Sequence, residues 1–171
     1  NTRALSRVIS TLLLGVVTAC SAATSAPIAR TVPSFTPTPR QAALLDTVGE
    51  RTFRWFWDVT DARTGLTPDR WPRKDFSSVA AIGFALTAYP VGIERGWVTR
   101  AEAAERTLQT LRYMWQLPQG PAPTGVGGHQ GFFYHFLEFD SGHRFRTVEL
   151  STIDTALLLG GALFCQSYFT G

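Results

Sequence analysis

The sequence predicts an all-α fold, the N-terminal part of an α/α toroid. Hydrophobic residues recur at helical spacing in four segments, and Pro- and Gly-rich polar stretches separate them. The four segments also alternate in character, from amphipathic to small-residue or wholly apolar, as an outer, inner, outer, inner layering requires. A chain of 171 residues with 44% hydrophobic content is long and apolar enough to bury a core.

The first helix is expected from about Arg40 to Trp57, with Leu44, Leu45, Val48, Thr52, Trp55 and Phe56 forming one buried face. "DARTGLTPDRWPRKDF" then reads as a loop, because Gly65, Pro68 and Pro72 break a helix. A second helix, about Ser77 to Arg95, is rich in small residues that let a neighbour approach, and Pro90 is expected to kink or shorten it. Gly96 sits where that helix must stop. "TRAE" at 99–102 is a capping box that opens a third helix reaching about Trp115. Ser151 starts a fourth, "STIDTALLLGGALFCQSYF", apolar nearly all round and so expected to be buried on nearly every side. A four-helix bundle is the alternative, but it leaves that all-round apolarity unexplained. Residues 41–171 are therefore read as the N-terminal portion of a larger toroidal domain, expected to be inactive alone.

The chain opens with a signal-peptide layout over 1–19: cationic Arg3 and Arg7, then the apolar "VISTLLLGVV", too short to span a bilayer. "VTAC" at 17–20 resembles a lipobox, which would make Cys20 a lipidated mature N-terminus. Ordinary cleavage near "SAATSAPIA", with Cys20 discarded, is the other reading. Both imply export, to the periplasm or the outer membrane, with the membrane touched only through a lipid anchor. Residues 20–40 read as a Ser/Pro-rich tether. The formal charge of +3 includes Arg3 and Arg7, so the rest of the chain is close to neutral and makes no electrostatic case for a nucleic-acid partner. Cys165, alone in an apolar run, is expected to pack in the core.

The stretch "GFFYHFLEFDSGHRFRTVELSTIDTA" at 131–156 breaks the helical pattern. Residues 131–138 alternate in strand fashion and "DSGH" turns the chain into "RFRTVE", so a small β-hairpin is expected before the fourth helix. This loop and "DRWPRKDF" are expected to emerge at one mouth. Sugars present apolar ring faces and hydroxyls, and Trp71, Phe133, Tyr134, His135 and Arg144 offer flat rings and hydrogen-bonding groups that suit them. Glycoside cleavage uses one proton-bearing and one ionised carboxyl group. Glu149, expected to be desolvated among Phe145 and the aromatics, would have a raised pKa and suit a general acid. Asp154, in the first turn of its helix, suits an anion by the helix dipole, but "STID" reads equally well as a helix cap. Asp140 reads as turn chemistry.

Together, "LLDTVGERTFRWFWD", "GLTPDR", "IERGWVTRAEA" and "GFFYHFLEFDSGHRFRTVELSTIDTALLLGGAL" resemble the bacterial glucoamylase-like family. That family is related to the endo-β-1,2-glucanases of glycoside hydrolase family 144 and to modules of cyclic β-1,2-glucan synthases. The resemblance covers about residues 41–169. It implies an (α/α)6 toroid that cleaves a β-glucan or oligosaccharide without a metal or organic cofactor. It supports Glu149 and Asp154 as catalytic positions, with Asp69 and Arg70 of "GLTPDR" on the same rim as substrate-binding groups. A non-catalytic glycan-binding lipoprotein remains the alternative function.

Overall fold

The computed structural model describes residues 35–170. The leader over 1–19, Cys20 and the tether up to residue 34 lie outside the described residues. The chain is mostly helical: α1 (Pro39–Val59), α2 (Val79–Glu94), α3 (Arg100–Gln116) and α4 (Thr152–Thr170). Four short strands join them: β1 (Phe76–Ser78), β2 (Gly128–His129), β3 (Phe132–Phe133) and β4 (Phe136–Glu138). No helix among the described residues is long and apolar enough to cross a membrane.

The helix ends follow from local chemistry. Thr38 and Gln41 form a capping box ahead of α1, with Pro39 in its first turn, where a missing N–H costs nothing. The last carbonyls of α1 are taken by cations from elsewhere, Lys74 Nζ reaching Val59 O at 3.1 Å and Arg106 reaching Trp57 O. The expected capping box of α3 is present: Thr99 N–H donates to Glu102 Oε2 at 2.8 Å, and Thr99 Oγ1 accepts from Glu102 N–H at 3.2 Å. Gly96, at φ 70°, takes the left-handed turn that ends α2.

Pro90 neither ends nor shortens α2, which runs on to Glu94. A proline there removes the N–H that would bond the carbonyl four residues back. That carbonyl, Leu86 O, instead accepts from the Cys165 thiol of α4 at 3.0 Å. Cys165 is thus a core residue with a defined partner, and burial pushes its pKa up, away from thiolate chemistry.

The close pair in the fold is α2 against α4. An added Cβ on Gly83 would strike the Leu157 carbonyl, and one on Gly161 would strike Gly83 O, so the two backbones pass with no room for a side chain. Around this crossing lie the buried Val79, Ile82, Leu86, Tyr89, Leu158 and Cys165, joined by Leu66 from the loop after α1 and Leu137 from β4. Two expectations for the helices are corrected. The face of α1 that buries is Phe53 with Trp57, stacked at 5.7 Å and packed toward Trp97 and Tyr89, while Leu44, Leu45 and Val48 are exposed. The fourth helix is covered on one side only, leaving Ile153, Leu159 and Leu163 open at 66%, 55% and 63% exposure.

The expected hairpin across "DSGH" is present, with Glu138 N–H donating to His143 O at 2.7 Å, and two further pairings accompany it. β2 and β3 form a hairpin in the register Gly128↔Phe133 and His129↔Phe132, turned by Gln130 and Gly131 at φ 52° and 84°. Positive φ at both central residues matches the twist of such a turn. β4 takes β1 as its main partner, antiparallel in the register Phe76↔Glu138 and Ser78↔Phe136. The segment after "DSGH" returns along the other edge of β4, through the bridge Leu137↔Arg144 and the bond from Phe145 N–H to Phe136 O at 3.0 Å. The all-α expectation thus needs two small two-stranded sheets added to it.

Candidate functional site

The β1–β4 pairing draws the loop of residues 61–78 against the loop of residues 117–151, as expected of two loops at one mouth. Between them runs a groove of about 500 Å³. Arg70, Arg73, Asp75 and Phe76 form one wall, and Phe136, Phe145, Arg146, Thr147 and Val148 the other. Phe76 packs at 4.6 Å from both Phe136 and Phe145, which fixes the floor.

Beside the groove stand the two candidate carboxylates, with His135 between them. Its ring stacks on Phe136 at 3.9 Å, its Nδ1 lies 2.8 Å from Glu149 Oε1, and its Nε2 lies 3.8 Å from Asp154 Oδ1. The backbone holds this register, since His135 N–H donates to Glu149 O at 3.0 Å and Val79 N–H to His135 O at 3.2 Å. An ionised carboxylate only accepts, so the short contact makes His135 Nδ1 the donor and turns Nε2 toward Asp154.

The two acids differ sharply in environment. Asp154 is buried at 5% exposure. Its Oδ1 accepts from Ala80 N–H at 3.3 Å, in the first turn of α2, and its Oδ2 accepts from the Ser151 hydroxyl. Ser151 Oγ in turn accepts the Asp154 N–H at 3.2 Å, so the cap of the earlier alternative is present, and the same carboxylate lies 3.8 Å from His135 Nε2. Glu149 is exposed, and here the desolvation expectation is corrected. Its own backbone N–H and His135 hold the Glu149 carboxyl below its usual value, the reverse of a pKa raised by burial.

The remaining predicted residues divide into rim and interior. Trp71 is 59% exposed, with Lys74 Nζ 5.1 Å from its ring centre, and remains available for stacking. Asp69 pairs with Arg70 at 3.2 Å, and Arg70 lies over Phe76 at 4.9 Å, both on the groove wall or next to it. Tyr134 is buried at 6% exposure with Arg144 over its ring at 4.4 Å, and Arg144 Nε donates to Val148 O at 2.7 Å. Those two form an interior support for the loop and present no open stacking face. Phe133 is half-buried, its N–H tied to Thr155 Oγ1 at 3.0 Å. Sequence reasoning passed over Arg73 and Arg146, whose convergence depends on pairing between strands about 60 residues apart in sequence. It also left Lys74 without a role, which proves to be capping α1. Among the described residues, no cluster of three or more His, Cys, Asp or Glu has the arrangement of a metal site.

No protein-family model matches the chain. Over 149 residues it is 28% identical to an exo-β-1,2-glucooligosaccharide sophorohydrolase (non-reducing end) of Parabacteroides distasonis, which covers 82% of this chain and 19% of that protein. A crystal structure of a β-1,2-glucanase from Parabacteroides distasonis superposes with a TM-score of 0.64 at 27% identity, over 81% of this chain and 19% of that one. The chain resembles the glucoamylase-like proteins and β-1,2-glucanases in sequence and in fold. A glucoamylase-like protein of Bacteroides uniformis matches at a TM-score of 0.65 and 26% identity, over 81% of this chain and 32% of that one. The glucoamylase-like resemblance therefore extends through nearly all of the helical unit, while the chain spans about a fifth to a third of the length of these relatives.

Proposed function

We propose that the whole protein is a glycoside hydrolase acting on a β-glucan, with β-1,2-linked glucan as its foremost substrate. The observation that carries this reading is the Glu149–His135 pair at 2.8 Å, poised beside a groove between two loops. It is supported by the resemblance to a sophorohydrolase and a β-1,2-glucanase.

Cleavage of a glycosidic bond needs an ionised carboxyl and a proton-bearing one. Glu149, kept anionic by its N–H and by His135, is suited to accept a proton from water or to bind a sugar hydroxyl. Asp154 lies behind His135 at 3.8 Å and ties α4 to α2 through Ala80 N–H, so in this reading it is a positioning residue. The proton donor is then a carboxyl elsewhere in the whole protein. The wider domain is an α/α toroid in this proposal, a reading supported by the uncovered apolar side of α4. Export, with Cys20 as a lipid-bearing N-terminus, is part of it too and rests on the leader and "VTAC".

A Glu149→Gln variant of the whole protein keeps the side chain's shape and removes its charge. Its release of reducing ends from β-1,2-glucan is expected to fall about 100-fold or more. Wild-type release would remove Glu149 from the mechanism. One observation favours a second reading: with Asp154 buried, Glu149 is the only member of the pair open to solvent. A non-catalytic glycan-binding protein would show saturable binding of the same glucan with no new reducing ends.

A further inference from the structure

The groove between the two loops carries a feature that cleavage of a neutral glucan does not use. Three guanidiniums, Arg70, Arg73 and Arg146, line it against one carboxylate, Asp75. Asp75 is already paired with Arg73 at 3.0 Å, and Arg70 leans on Asp69 at 3.2 Å. Arg146 has no carboxylate within salt-bridge distance among the described residues. Its backbone sits at φ 55°, a left-handed conformation that a non-glycine residue adopts at some cost.

The aromatic floor explains what these arginines are set up to hold. Arg70 lies over Phe76 and Arg146 over Phe145, each at 4.9 Å from the ring centre, and the two rings are themselves 4.6 Å apart. Phe136, the third ring, has His135 stacked on it. These ring faces are thus occupied by side chains of the protein, which leaves them poor platforms for a sugar ring. A guanidinium whose flat face rests on a phenyl ring still has its N–H edges free, and those edges match the oxygens of a carboxylate or phosphate.

We propose that this groove binds an anionic substituent, a carboxylate or a phosphate ester, carried on a sugar. The oxyanion part rests on the groove alone, and the sugar part rests on the glycan reading above. Arg146 and Arg70 supply the N–H edges, and Thr147 on the same wall offers a hydroxyl.

The test is equilibrium binding to the whole protein of four probes: glucose, glucuronate, glucose 6-phosphate and inorganic phosphate. The two charged sugars are expected to bind at least about tenfold more tightly than glucose at low salt, with the advantage shrinking as salt is raised. Arg146→Gln is expected to remove most of that advantage while circular dichroism and thermal unfolding stay as in wild type. Arg70→Gln, which removes the other guanidinium assigned to the anion, serves as a second variant should Arg146→Gln fail to fold. Equal affinity for glucose and the charged sugars overturns the proposal, as does phosphate binding as tightly as glucose 6-phosphate. A protein that ranks the probes as expected but releases no reducing ends from β-glucan would uphold the groove and reject the hydrolase reading.

Discussion

At the scale of single residues, the two acids that sequence motifs set side by side have different work. Asp154→Ala would strip the acceptor from Ala80 N–H and from the Ser151 hydroxyl in a buried setting, and is expected to cost about 2–3 kcal/mol in denaturant unfolding. Glu149→Gln, on the surface, is expected to leave the unfolding midpoint essentially as in wild type. Equal losses for the two would contradict the assignment of Asp154 as the structural partner. The charge state of Glu149 gives a second check. Its folded pKa lies below its unfolded one, so whatever it adds to stability is present above pH 4.5 and fades as pH falls through the lower folded value. Carboxyl NMR is expected to show Glu149 titrating below 4.5, and moving back up toward it in His135→Ala. Sequence reading found these residues because "TVELSTID" carries short-range signals, the cap most of all. It missed the direction for Glu149 because exposure depends on where the loop folds back, which no local pattern encodes.

Among the elements, helix ends were the most legible feature. A capping box such as Thr99 with Glu102 acts within four residues, and Gly96 ends α2 by its own backbone freedom. The β1–β4 pairing was hidden, since three-residue strands hold little periodicity and their partners are far apart in sequence. The covered face of α1 was misjudged for a related reason: a helix with apolar residues on two sides does not say which side meets a neighbour. The run through Pro90 was illegible as well, because the group that satisfies Leu86 O comes from α4. The α2–α4 crossing yields a paired prediction from adjacent glycines. Gly161→Ala must push α4 off the Gly83 carbonyl and is expected to destabilise by about 1–3 kcal/mol. Gly160→Ala, with nothing within 4 Å of the added methyl, is expected to be neutral or to stabilise by up to about 1 kcal/mol through helix propensity. Thermal unfolding of the two variants reads the difference, and changes of the same sign would contradict the close crossing.

For the molecule as a whole, four helices carry two loops, and a three-residue strand pair joins those loops to build the candidate site. The β1–β4 pair places the guanidinium groove and the Glu149–His135 pair side by side. In the proposed reading, a glycan bearing an anionic substituent would engage both features at once. The most direct measurement is to incubate the whole wild-type protein with linear β-1,2-glucan and, separately, with starch, and to follow new reducing ends. Release of β-1,2-linked oligosaccharides from the first and none from the second is the predicted result. Release from starch alone, or from neither, would contradict the account.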